Sequence, residues 1–146
     1  MTPMAKQLLV PRKPGVYQLD GKLDEVEHAA KQAGLAVFRI DIGQACGKKD
    51  FLAYIAEALR FPSWFGGNWD ALHDCLTDLD WIPTKTGYVL VLENSAHFGS
   101  SHKQDFEKAM SVLKSAAEYW KTEGKPFWAL IEAGPKWDSG LSKFPL

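Results

Sequence analysis

The pattern of hydrophobic and polar positions predicts three buried strands with helices before and between them. Three short runs are apolar almost throughout, as expected of parallel strands covered on both faces. They are LAVFRIDI (35–42), YVLVL (88–92) and FWALI (127–131). Apolar residues at helical spacing predict four helices, over 22–32, 51–60, 69–79 and 103–122. This order implies right-handed crossovers between parallel strands, so we predict an α/β protein with a small three-stranded parallel β-sheet packed with helices.

Capping residues support the predicted helix ends. Asp50 and Asn68 stand just before two of the helices, where a short polar side chain can accept a hydrogen bond from a free backbone N–H. Gly34 and Gly124 follow two others, where glycine adopts the left-handed conformation without steric cost. We therefore expect Asp50 and Asn68 as N-caps and the two glycines as C-terminal caps.

The two ends of the chain differ in composition from the middle. Residues 1–14 are rich in proline and basic residues and predict a flexible or loosely docked arm, while 16–19 (VYQL) predict a short strand. The last dozen residues are rich in Gly, Pro and Ser, which favours a surface tail. We predict an N-terminal extension over 1–34 (arm, short strand and helix), a main domain over 35–132 and a C-terminal tail over 133–146.

Size, charge and cysteine content exclude several classes of function. A chain of 146 residues can bury one core of its own. Its net charge of −1 creates no field for nucleic acid or a membrane surface, and no apolar run reaches the roughly 18 residues that a membrane span needs. The N-terminus carries no signal-peptide pattern, and Cys46 and Cys75 follow no zinc or disulfide spacing. We expect a cytoplasmic monomer with reduced thiols.

One stretch, residues 61–81, concentrates negative charge. It holds four aspartates and no lysine or arginine, so its charge is −4 in a chain of net charge −1. On a helical wheel at about 100° per residue, one face carries Trp69, Leu72, Leu76 and Leu79. The opposite face carries Asp70, Asp74 and Thr77, with His73 and Asp78 on its flanks. Each like-charge i,i+4 pair costs a few tenths of a kcal/mol, so we predict a surface that docks a cationic partner.

The loop before this helix adds aromatic and glycine residues. Trp64 and Phe65 lie in a segment flanked by proline and glycine, and interfaces favour aromatic anchors beside charged groups. The alternative for Phe65 is that it folds beneath the helix. Gly66 and Gly67 permit close backbone approach, but the phosphate-loop patterns G-x-x-x-x-G-K-[ST] and G-x-G-x-x-G are absent.

The run PSWFGGNWDALHDCLT (62–77) resembles the barstar family, bacterial inhibitors of barnase-like extracellular ribonucleases. The family pattern is a proline, an aromatic pair, Gly-x-Asn, then Asp-Ala-Leu-x-Asp-Cys-Leu. The order of elements from about 35 to 131 fits as well. The resemblance implies a small three-stranded parallel sheet with helices. It also implies an acidic helix and preceding loop that enter the cationic active site of a secreted ribonuclease, as in an immunity protein.

The resemblance also implies roles for single residues. Asp74 resembles the residue that occupies the phosphate site, and Asp70 resembles a second acidic contact. Trp64 takes the place of an aromatic, usually tyrosine, that packs on the enzyme, and His73 stands where the best-known member has tryptophan. The implied partner-binding residues are Trp64, Phe65, Gly66, Asn68, Asp70, His73, Asp74 and Thr77. A glutamate contact from the last helix has its counterpart near Glu118, Tyr119 or Glu123.

Two other functions stay open. The chain could be an immunity or regulatory module for another basic toxin domain, or a small hydrolase that uses Asp70, His73 and Asp74. A hydrolase would need a concave pocket and a second group from elsewhere. A single helix offers no closed set of metal ligands, and His97 and His102 are interpreted as surface histidines. We therefore predict no catalytic residue, no metal and no cofactor.

Overall fold

The computed structural model describes residues 1–10, 13–84 and 86–145, and it shows a parallel sheet with helices on both faces. These residues form the helices α1 (Pro3–Leu8), α2 (Leu23–Gln32), α3 (Lys48–Ala58), α4 (Trp69–Leu76), α5 (Ala96–Ser101) and α6 (Lys103–Thr122). The strands are β1 (Val16–Leu19), β2 (Ala36–Asp41), β3 (Tyr88–Glu93), β4 (Phe127–Glu132) and β5 (Lys143–Phe144). Within the described ranges, no helix combines the length and apolar character needed to cross a membrane.

Among the described residues, the sheet has five parallel strands in the order β2-β3-β4-β1-β5, so the prediction of three strands is wrong. The three predicted strands are β2, β3 and β4, which are adjacent in the sheet. The short strand β1 joins them by pairing with β4, from Val16 opposite Ala129 to Leu19 opposite Glu132. β5 then pairs with the outer edge of β1. A two-residue strand has no periodicity of its own, and only the edge offered by β1 makes it a strand.

β2 was expected to be buried, but it is an edge strand. Most of its residues are half-buried, whereas β3 and β4 are buried up to their last residue. An edge strand has a neighbour on one side only, so solvent reaches more of its surface. An apolar run therefore predicted the strand correctly and its place in the sheet incorrectly.

Alternation along the strands divides the interior into two cores. Successive side chains point to opposite faces, so Leu90 and Leu92 pack with α3, α4, α5 and α6, while Val89 and Val91 pack with α1 and α2. The chain crosses from β1 to β2 in one direction and returns through β3 to β4 in the other. Right-handed crossovers then require helices on opposite faces. This arrangement places α4 on the larger core.

The N-terminal segment contains a docked helix over residues 3–8, where composition predicted a flexible or loosely docked arm. Thr2 Oγ1 accepts a hydrogen bond from Ala5 N at 3.1 Å, and Pro3 occupies the first turn. The side chains of Ala5 and Leu8 are fully buried. The indole Nε1–H of Trp128 donates to the Leu8 carbonyl at 2.8 Å. Residues 11 and 12 of the predicted arm lie outside the described residues.

The C-terminal segment lies mostly on the surface, but two of its aromatic side chains pack against the fold. Phe144 is buried, with its ring centroid 5.3 Å from that of Trp128. Trp137 lies so close to Gly99 that a Cβ there would overlap its ring. Residue 146 of the predicted tail lies outside the described residues, as does residue 85.

Most helix boundaries agree with their capping signals. α6 spans the predicted residues, and Gly34 and Gly124 adopt positive φ, at 78° and 76°. α3 begins at Lys48, earlier than predicted, and Asp50 lies inside its first turn, where Oδ2 accepts from Cys46 N at 3.0 Å. α4 ends at Leu76 and not at Leu79, whose φ of 54° is incompatible with helix.

If α1 is docked as described, Leu8→Ala should lower the free energy of unfolding by about 2 to 5 kcal/mol, because it removes buried apolar surface and leaves a cavity. Val10→Ala, at an exposed position just after α1, is the matched control and should change it by less than about 0.5 kcal/mol. Urea unfolding followed by tryptophan fluorescence measures both. Equal stabilities of the two variants would mean that the N-terminal segment is an arm after all.

Candidate functional site

The start of α4 is defined by a glycine and a side-chain cap. Gly67 has a φ of 68°, in the left-handed region that favours glycine. Asn68 is extended, and its Oδ1 accepts a hydrogen bond from Ala71 N at 2.7 Å, which confirms the predicted N-cap. Gly66 does not share the positive φ. The chain therefore turns at Gly67 and enters the helix at Asn68.

The buried face of α4 fixes which side chains reach solvent. Leu72, Cys75 and Leu76 are buried, and the Trp120 indole Nε1–H of α6 donates to the Leu76 carbonyl at 2.7 Å. Asp70 and Asp74 are both exposed. Neither carboxylate takes part in an ion pair among the described residues. The face that the helical wheel predicted as acidic is therefore solvent-facing.

The two aromatic residues before α4 separate in the structure. Trp64 is 58% exposed. Phe65 is half-buried against Phe61, with ring centroids 5.0 Å apart. Phe61 in turn contacts Trp81, whose indole Nε1–H donates to the Leu59 carbonyl at 2.8 Å. Phe65 thus joins a small aromatic cluster that supports the loop, and Trp64 is left as its solvent-facing aromatic.

His73 and Thr77 lie on the flanks of α4 and make contacts within the chain. The His73 Nε2 atom is 2.9 Å from Ser115 Oγ of α6. The Thr77 hydroxyl donates to the His73 carbonyl at 2.8 Å, and the same carbonyl accepts the Thr77 backbone N–H at 3.0 Å. Both residues are half-buried. Less of their surface is accessible to a partner than that of the two aspartates.

A groove of about 530 Å³ opens beside the C-terminal end of α4. We call it the acidic groove, because its lining includes the carboxylates of Asp74, Asp78, Asp80 and Glu123. Tyr119 and Glu123, two of the three residues considered from the last helix and its end, line it, and Glu118 does not. Sequence spacing did not predict this groove, because α4 and the end of α6 meet only in the folded chain.

The pKa values around the groove reflect its negative potential. A hydrogen bond shared with Asp78, and then repulsion from its charge, raise the pKa of Asp80, while Lys125 opposes this shift. Burial, followed by the charges of Asp74 and Asp78, raises the pKa of Cys75 to about 11. Burial also raises the pKa of Tyr88, with smaller contributions from Asp80 and Asp78. Asp78 contributes to all three shifts, so the potential here is negative despite Lys125.

The three side chains that a hydrolase would use do not converge on one pocket. Asp74 lines the acidic groove, whereas Asp70 and His73 do not. The thiol of Cys75 is fully buried and has a raised pKa, so it is a poor nucleophile at neutral pH. This arrangement suits the display of carboxylates better than acid–base catalysis.

Comparison with known proteins identifies the family. The sequence model described as Barstar (barnase inhibitor) matches residues 35–132, about two thirds of the chain. The chain belongs to the Barstar family. The resemblance drawn from residues 62–77 is thereby confirmed, and the family is described as a barnase inhibitor. No curated protein sequence matches this Barstar-family chain.

Among solved structures, the chain is similar to the ORC2 protein of Aeropyrum pernix, determined in ADPNP–ADP complexes. The TM-score is 0.55 at 17% identity, over 83% of this chain and 35% of that one. This chain therefore spans about a third of the ORC2 protein's length. At this identity the likeness concerns the fold alone, a parallel sheet with helices.

The shared hydrogen bond between Asp78 and Asp80 predicts a specific pH dependence of stability. The pKa of Asp80 is raised in the folded protein. The contribution of this carboxyl to the free energy of unfolding is therefore complete below its unfolded pKa of about 4, and it is lost as pH rises through the pKa of the folded state. Asparagine does not ionise, so Asp80→Asn removes the loss of stability that deprotonation of Asp80 causes. The variant should gain stability relative to the wild type between about pH 4 and neutral pH. Urea unfolding across this range measures the difference, and a difference independent of pH would contradict the assignment.

Proposed function

We propose that this Barstar-family chain inhibits a barnase-like ribonuclease by placing α4 and the loop before it in the cationic active site of the enzyme. One observation carries the proposal: Asp70 and Asp74 are exposed on one face of α4 and have no ion-pair partner among the described residues. The family description, barnase inhibitor, supports this class of partner.

The chemistry of the two surfaces is complementary. A ribonuclease active site binds the phosphates of RNA through arginine, lysine and histidine. A carboxylate accepts the same charge-assisted hydrogen bonds, and arginine can bind it in a bidentate manner. Asp74 would occupy the phosphate site, and Asp70, one helical turn earlier, would make a second acidic contact. RNA would then be excluded both sterically and electrostatically.

The free inhibitor is preorganised for this contact. The buried leucine face and the hydrogen bond from Trp120 to Leu76 hold α4 against α6. Little conformational freedom then remains to be lost on binding, which favours affinity. The unrelieved repulsion among the aspartates adds to this, because a cationic partner removes it. Long-range attraction to the acidic groove would also speed association at low salt.

Residues around the two aspartates complete the proposed docking surface. Trp64, exposed on the loop, is the large aromatic that can anchor an interface. Gly66 leaves the backbone accessible beside it, since a Cβ there would contact only the neighbouring Asn68 and Ala71 side chains. Tyr119, 40% exposed, and Glu123 extend the surface across the groove to the end of α6. His73 and Thr77 complete its flanks.

One alternative uses the same surface. Another basic toxin domain, with or without ribonuclease activity, would meet the same carboxylates and the same exposed tryptophan. A cytoplasmic immunity protein of either kind protects the cell that makes it. We do not propose nucleotide binding from the likeness to the ORC2 complexes, because the likeness concerns the fold alone and neither phosphate-loop pattern occurs in this sequence.

Inhibition by the wild type and by Asp74→Ala tests the proposal. Titrated against its cognate barnase-like ribonuclease, the wild type should abolish RNA cleavage at a one-to-one ratio. Asp74→Ala should raise the inhibition constant by at least ~30-fold, equivalent to about 2 kcal/mol, the threshold of an interface hot spot. The barnase–barstar complex is itself one of the measured cases behind this rule. Trp64→Ala should weaken inhibition in the same direction.

Glu25→Ala is the matched control, because Glu25 is an exposed carboxylate on α2, across the sheet from α4. It should inhibit like the wild type. If Asp74→Ala inhibits the cognate enzyme as well as the wild type does, the proposed mechanism is wrong.

Capture from the native cell separates the ribonuclease from another basic partner. Wild-type bait should retain a partner protein. After elution under denaturing conditions and renaturation, that partner should cleave RNA. Bait carrying Asp70→Ala and Asp74→Ala should lose it. A partner that depends on both aspartates but does not cleave RNA would instead establish the toxin-domain alternative.

A further inference from the structure

Three side chains with metal-binding atoms meet at the carboxyl ends of β2 and β3, apart from the acidic groove. Cys46 lies in the loop after β2, His97 lies on α5 after β3, and His102 lies between α5 and α6. Their Sγ and ring nitrogen atoms are all within 4.8 Å of one another. Loops at the carboxyl ends of parallel strands are the usual ligand-binding region of such sheets.

The separation of these atoms is close to that of a tetrahedral zinc site. With Zn–S near 2.3 Å and Zn–N near 2.0–2.1 Å, ligand atoms of one ion lie about 3.3–3.6 Å apart. Side-chain rotations that move the three atoms by about 1 Å would bring them to this spacing. Cys46 and His97 are exposed and His102 is half-buried, so an ion can enter from solvent and the side chains have room to adjust.

The surroundings hold two of the ligands in place. The His102 ring stacks on the buried ring of Phe98, with centroids 6.2 Å apart and planes inclined by 27°. Two carboxylates fix the loop that carries Cys46. Asp50 Oδ2 accepts from Cys46 N at 3.0 Å, and Asp105 Oδ2 accepts from Lys48 N at 2.9 Å. Contacts of this kind, outside the ligand atoms themselves, help to orient metal ligands.

The chemistry of the ligands selects the metal. One thiolate and two imidazoles suit a borderline or soft divalent ion such as Zn²⁺, whereas Mg²⁺ and Ca²⁺ prefer oxygen ligands. Three protein ligands leave the fourth tetrahedral position for water or for a ligand from another molecule.

We propose that Cys46, His97 and His102 form a zinc site that ties the loop after β2 to the junction of α5 and α6. This zinc site does not rest on ribonuclease inhibition, because it shares no residue with α4 or the acidic groove. It is nevertheless a neighbour of the proposed docking surface. Lys48, two residues after Cys46, lies over the ring of Trp69 at the start of α4, with Nζ 5.9 Å from the centroid.

Cobalt(II) titration tests the zinc site directly. The full chain, reduced, free of any histidine tag and stripped with a chelator, should bind one Co²⁺. A thiolate-to-cobalt charge-transfer band and ligand-field bands of four-coordinate intensity should appear. One equivalent of Zn²⁺ should remove both signals, and the melting temperature should rise with zinc concentration.

Variants at and away from the site make the test specific. Cys46→Ser should abolish the charge-transfer band, and His97→Ala, at an exposed position, should weaken cobalt binding by at least about tenfold. His28→Ala, which removes an exposed histidine on α2, should leave binding unchanged. Circular dichroism of each variant should match the wild type.

Alkylation gives a second readout on the wild-type chain. Cys46 is exposed and Cys75 is buried, so iodoacetamide should modify one thiol of the native protein, and Zn²⁺ should slow that reaction. The absence of the charge-transfer band in the wild type, or equal cobalt affinity of Cys46→Ser, His97→Ala and the wild type, would overturn the proposal.

Discussion

Burial of the leucine face of α4 is the interaction on which the proposed inhibitory surface depends. Leu72 and Leu76 are buried in the larger core, and the Leu76 carbonyl accepts the indole N–H of Trp120. With 3.6 residues per turn, burying these positions turns Asp70 and Asp74 toward solvent. A short helix carrying like charges one turn apart is unfavourable in isolation. Tertiary contacts therefore hold a surface that the helix alone would not support.

The negative potential of this surface extends beyond the helix. Asp78 and Asp80 follow α4, and Glu123 comes from the end of α6, so two separate parts of the chain contribute carboxylates to one groove. The raised pKa values of Asp80, Cys75 and Tyr88 have Asp78 as a shared contributor. A basic partner would relieve this repulsion, and the proposed docking to a cationic site draws on that relief.

Features encoded in local periodicity were predictable from the sequence, and features made by distant contacts were not. The strands β2, β3 and β4, the helix α6 and the outward face of α4 follow from spacing alone. α1 and β5 do not, because they depend on Trp128 and on the edge of β1. The same limit applies to the acidic groove, to the contact between His73 and Ser115, and to the cluster of Cys46, His97 and His102, which join different elements.

A double-mutant cycle between Asp74 and a cationic active-site residue of the cognate ribonuclease tests the central claim most directly. If the Asp74 carboxylate occupies the phosphate site, removing either partner makes the second removal much less costly. The two changes should then couple by at least about 1 kcal/mol in the binding free energy. Effects that add to within about 0.5 kcal/mol at every cationic active-site residue would show that Asp74 does not enter the site.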